Sequence, residues 1–134
     1  IDYNSQIILV NKLYLDISFN EKNIIKKELK SKQNSYKQQD IEKEIYDKET
    51  FINMEEMIEK IVSSKLLCFY CKQKLKILYE NVRDPLQWTL DRKNNNFDHS
   101  DVNTIVCCLK CNLERRKKNM EAFLFTKQLK IVKK

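Results

Sequence analysis

The chain has 134 residues, enough for one modest core or for a small domain with a helical arm. It has no glycine and one proline, Pro85, which excludes dinucleotide folds and P-loops, whose phosphate cradles need glycine where backbone approaches ligand. The net charge is +7, and residues 109–134, with nine Lys and Arg against Glu114 and Glu121, account for all of it. Such a basic segment beside a neutral body fits either a polyanion binder or a solvated tail. No apolar run approaches the roughly 18–20 residues of a membrane span, so no membrane partner is expected. The chain begins at Ile1 rather than Met, which leaves a preceding segment open.

In chain order, residues 6–15 suit either a strand or a buried helix turn. Residues 6–48 are rich in Lys, Glu, Gln and Asn, with sparse apolar positions at Ile24, Ile25, Leu29, Tyr36, Ile41, Ile45 and Tyr46. They predict one or two exposed helices with a break around 31–35. The texture changes near residue 50, dividing the chain into a mainly helical arm, 1–49, and a domain, 50–134. The arm is expected to pack on a protein partner, on nucleic acid or on the domain behind it.

Asn53 followed by Glu56 makes a capping box, and Met54, Met57, Ile58, Ile61 and Val62 form one apolar stripe. Residues 53–64 are therefore expected as a core helix. Leu75, Ile77, Leu78 and Tyr79 suggest a strand. Residues 87–93 alternate as a second, 94–101 form a polar loop, and 102–107 read as a third. Helices follow over about 109–118 and 121–132, the last carrying Phe123, Leu124, Leu129 and Ile131. The fold class is α+β.

Five cysteines leave one over in a disulfide framework, which argues against secretion. Cys68 and Cys71 form one C-x-x-C knuckle, and Cys108 and Cys111 a second, separated by 36 residues. Two such knuckles supply the four thiolates of a structural zinc site. Cys107 could pair with Cys111 by a looser spacing, but Cys108 repeats the spacing of the first knuckle. Cys107 then points the other way on its strand as a small buried hydrophobe.

Between and beyond the knuckles lie Leu90-Asp91-Arg92, His99, Asn103, and Cys111-Asn112 followed by Arg115, Arg116, Lys117 and Lys118. This pattern over about 68–117 resembles the HNH (ββα-metal) endonucleases, above all a zinc-knuckle subgroup of phages and nucleocytoplasmic large DNA viruses. Residues 34–40 and the helix before Cys68 extend the likeness upstream. The resemblance implies a small zinc-stabilised ββα-metal domain that grips one Mg²⁺ or Mn²⁺ against a scissile phosphate. Asp91 would be the carboxylate ligand and Asn112 the helix-borne ligand. His99 would be the loop histidine suited to base work, and Asn103 would hold the loop by backbone hydrogen bonds. Arg92, Arg115, Arg116, Lys117 and Lys118 would bind phosphates of DNA or RNA. The implied setting is intracellular: host cytoplasm, nucleus or virion.

Two departures stand out. The histidine that follows the strand aspartate in typical members is here Arg92, which stays protonated and cannot act as a base. Phe97-Asp98 stands where relatives place a glycine before the loop histidine. Three functions follow as expectations: a metal-dependent DNA endonuclease, an inactive zinc-bound nucleic-acid binder, or a virion structural protein.

Overall fold

A computed structural model of the protein describes residues 2–132. Its elements are α1 (Tyr3–Tyr14), α2 (Lys22–Glu42), α3 (Met54–Ser64), β1 (Trp88–Arg92), β2 (Thr104–Cys108), α4 (Leu109–Arg115) and α5 (Met120–Val132). The architecture is mixed α+β, with one two-stranded antiparallel sheet among the described residues. None of the described helices is long and apolar enough to cross a membrane.

Helix α1 starts where the Asp2 side chain accepts the Ser5 N–H at 2.7 Å. Of residues 6–15, ambiguous in sequence, all but the C-cap Leu15 are thus helical, with Val10 and Leu13 buried. Helix α2 runs unbroken through 31–35, where a break was expected. Its buried positions, Ile25, Leu29, Tyr36 and Asp40, recur at helical spacing and need no break. Helix α3 has both halves of its capping box: Glu56 N–H donates to Asn53 at 2.8 Å, and the Glu56 carboxylate accepts the Asn53 N–H at 3.0 Å.

All these elements share one core. Val10 and Leu13 of α1 and Ile25, Leu29 and Tyr36 of α2 lie in the same buried cluster as Met57, Ile61, Trp88 and Leu90. Each such fully buried side chain contributes on the order of 1.5–3 kcal/mol. Of the three settings expected for residues 1–49, the structure has them packed on the residues that follow.

The strands pair Asp91 with Ile105, Leu90 with Val106 and Trp88 with Cys108. Both strands are buried along their whole length rather than alternately, because helices and loops cover both faces. Residues 75–79, expected as a strand, make only one isolated bridge, Lys76 to Gln87, next to a second from Leu67 to Lys74. Gln6 of α1 takes the place of a neighbouring strand there: its Oε1 accepts the N–H of Ile77 at 2.7 Å and of Leu78 at 3.1 Å. The free edge of β1 is covered as well, since Leu90 N–H donates to the Tyr36 hydroxyl at 2.9 Å.

Candidate functional site

The two knuckles meet. The sulfurs of Cys68, Cys71, Cys108 and Cys111 lie within 4.8 Å of one another and could hold a metal ion. Cys71 Sγ and Cys108 Sγ are 3.9 Å apart, close to the roughly 3.8 Å edge of a tetrahedron whose metal–sulfur bonds are about 2.3 Å. Backbone amides already point at the sulfurs: Cys71 N–H and Cys108 N–H at Cys68 Sγ, and Cys111 N–H at Cys108 Sγ. Hydrogen bonds among the crowded thiols lower Cys68 and Cys71 and raise Cys111, so the four sulfurs share their protons as one set. Cys107 lies outside the cluster, with its Sγ 3.4 Å from Thr89 Oγ1, and burial pushes its thiol well up. The choice of Cys108 over Cys107 therefore agrees with the geometry.

This cluster fixes the parts of a second site. Cys108 ends β2 and is itself the N-cap of α4, so strand and helix meet at the knuckle without a loop. Asn112, one turn into α4, hangs over β1: its Nδ2 donates to Thr89 Oγ1 at 3.1 Å and to the Leu90 carbonyl at 3.4 Å. Tyr70, inside the first knuckle, donates its hydroxyl to Asp91 Oδ2 at 2.7 Å. Burial, and this bond to the carboxylate, hold Tyr70 above the ordinary tyrosine range.

Asp91, His99 and Asn112 line one cleft of about 1220 Å³, with α2 forming its far wall through Ser35, Tyr36, Gln39 and Lys43. No buried side-chain nitrogen or oxygen among the described residues lacks a hydrogen-bond partner. Asp91 Oδ1, Asn112 Oδ1 and His99 Nε2 make no hydrogen bond, so each keeps some access to solvent, on residues that line the cleft. The donor role of Asn112 Nδ2 toward a carbonyl fixes which amide atom is the free oxygen.

His99 is 3% exposed, yet held at several points. Its Nδ1 is 2.7 Å from Asp40 Oδ1, and its backbone N–H donates to Asp40 Oδ2 at 2.8 Å. The ring stacks on Tyr36 with centroids 4.5 Å apart. Burial sets its pKa below the ordinary histidine value, despite the opposing charge of Asp40. Asn103 organises the loop, as expected: its Oδ1 accepts from Asn94 N–H, and its Nδ2 donates to the carbonyls of Asn94 and Asp98. It lies outside the cleft.

The arginines divide. Arg116, Lys117 and Lys118 are exposed on the cleft rim. Arg92 is buried, and its guanidinium holds the loop carbonyls of Asn95 and Phe97, at 3.0 and 3.3 Å. Arg115, expected on a phosphate, is 2% exposed and turned inward. It bonds Asp91 Oδ2 at 2.8 Å and the carbonyls of Arg92, Lys93 and Lys118. Thus two of the five cations expected at phosphates carry buried structural bonds here.

Lys43, at the end of α2, replaces them on the rim. Its pKa falls below the ordinary lysine value, first by partial desolvation and then by the charges of Arg92 and Lys117. Cations from both walls of the cleft thus repel one another across it. Sequence reasoning missed Lys43, Tyr36 and Asp40. The signal was the likeness over residues 34–40, together with the i, i+4 spacing that puts Tyr36 and Asp40 on one helical face.

Comparison of the chain with family models, with curated proteins and with solved structures found no match.

Proposed function

We propose that the protein is a metal-dependent endonuclease of the HNH type, hydrolysing phosphodiester bonds in DNA, with structural zinc on its four clustered cysteines. The observation that carries this reading is a set of acceptor atoms left without a hydrogen bond, Asp91 Oδ1, Asn112 Oδ1 and His99 Nε2, on residues that line one cation-rimmed cleft. The two oxygens suit a hard cation, and a divalent Mg²⁺ or Mn²⁺ held by them would stabilise negative charge on the phosphate and on the departing 3′ oxygen.

The protein's own groups do the rest. Tyr70 and Arg115 fix Asp91 through Oδ2 and leave Oδ1 available. Thr89 and Leu90 do the same for Asn112 through its amide nitrogen. His99 Nε2, with its ring charge disfavoured by burial, accepts the proton of a water attacking phosphorus. Arg92 stands where the base would be in typical members, and its bonds support the loop that carries His99 instead. Arg116, Lys117, Lys118 and Lys43 draw in the polyanion.

A second reading, an inactive nucleic-acid binder, has one observation in its favour: the guanidinium of Arg115 already neutralises Asp91. A nicking assay separates the two. Zinc-loaded protein is incubated with supercoiled plasmid in Mg²⁺, Mn²⁺ or EDTA, beside Asp91→Ala and His99→Ala. Metal-dependent nicking lost in both variants is expected. Salt-sensitive DNA binding without nicking would overturn the endonuclease and leave the binder.

A further inference from the structure

We propose that Asp40, reaching from α2, is a positioning residue that holds His99 as its Nδ1–H tautomer, with Nε2 presented to the cleft as a proton acceptor. The consequence for hydrolysis rests on the endonuclease reading; the tautomer itself does not.

The geometry leaves little choice. Asp40 is fully buried, and both carboxylate oxygens are used on His99. Oδ2 takes the backbone N–H at 2.8 Å, and Oδ1 sits 2.7 Å from Nδ1. With Asp40 as a carboxylate, both of its oxygens only accept, so Nδ1 donates and the neutral ring keeps its lone pair on Nε2. Tyr36, one helical turn before Asp40, stacks on the ring and stops it flipping. Its hydroxyl is tied to β1 by the Leu90 N–H, so α2 aligns ring and strand together. The helix at 22–42 is therefore part of the candidate site and not an appendage to it.

The replacement Asp40→Asn tests this sharply. The His99 backbone N–H can only donate, so the single oxygen of the new amide must face it. The amide nitrogen then faces Nδ1 and donates to it, which moves the ring proton to Nε2 and removes the acceptor from the cleft. The chain has one histidine, so long-range ¹⁵N–¹H NMR reads this ring without assignment ambiguity. Zinc-loaded wild type at mildly alkaline pH is expected to give a pyrrole-like Nδ1 and a pyridine-like Nε2. Asp40→Asn is expected to reverse the two and to lower kcat for plasmid nicking on the order of 10²-fold or more, with KM little changed. Asp40→Glu, which keeps an acceptor, should retain the wild-type tautomer. A protonated Nε2 in the wild type overturns the proposal with no variant needed, as does an unchanged tautomer in folded Asp40→Asn. The expected tautomers in a protein that never nicks DNA would support the positioning role and sink the endonuclease reading alone.

Discussion

Replacing Arg115 should damage stability more than binding. Its guanidinium is 2% exposed and serves four acceptors: Asp91 Oδ2 and the carbonyls of Arg92, Lys93 and Lys118. Arg115→Ala strands a carboxylate that is itself 6% exposed, and breaking a buried pair from one side costs about 3–5 kcal/mol. At about 4 °C per kcal/mol for a chain of this size, Tm should fall by roughly 12–20 °C. Tyr70 keeps one bond to the carboxylate, which places the loss toward the lower end. Arg115→Lys retains the charge but cannot reach all four acceptors, so it should fall in between. The double variant Asp91→Asn, Arg115→Met removes both charges and should recover part of the loss. Differential scanning fluorimetry of the zinc-loaded proteins measures all three. A drop of less than about 4 °C in Arg115→Ala, with DNA binding sharply weakened, would refute the structural role and return Arg115 to the phosphates.

Other consequences are simpler to test. Cys68→Ser or a strong chelator should abolish cooperative unfolding, because metal affinity at such a site is folding energy; a soluble, cooperatively melting Cys68→Ser would contradict this. Lys65 caps α3 in the left-handed region, at φ 56°, with an exposed side chain. Lys65→Gly should therefore raise stability by roughly 0.5–1 kcal/mol, read by urea denaturation. Lys117→Ala with Lys118→Ala should reduce the slope of log K against log salt for duplex DNA by about 0.9 for each phosphate no longer neutralised, while Arg92→Ala should leave it unchanged.

The two knuckles and helix α3 were legible in the sequence because each is local. A C-x-x-C knuckle places its own thiols, and the capping box of Asn53 and Glu56 announces α3 by itself. Only the pairing of the two knuckles is long-range, and four thiolates around one ion leave little freedom. The helices before residue 50 were harder to read. Helix α2 buries a narrow stripe on an otherwise polar rod, and two of its inward positions are Lys32, half-buried, and Asp40, which look solvated in a sequence. Each is held by a partner far along the chain: Lys32 by Gln87 at 2.6 Å, Asp40 by His99. Residues 75–79 carry a strand's pattern, yet the N–H groups of Ile77 and Leu78 are taken by the side chain of Gln6, which no periodicity reveals. Arg115 misled for the converse reason. In a run of four cations its neighbours are exposed, and the Asp91 carboxylate with the carbonyls at the end of β1 draws it inward.

Whether Asp91 and Asn112 hold a divalent cation is the claim on which the proposed chemistry turns, and Mn²⁺ titration followed by electron paramagnetic resonance tests it directly. The zinc-loaded wild type should bind one Mn²⁺ per chain in competition with Mg²⁺. Asp91→Asn combined with Asn112→Ala should lose that binding while still melting cooperatively. Absence of Mn²⁺ binding in the wild type, or equal binding in the double variant, would contradict the account.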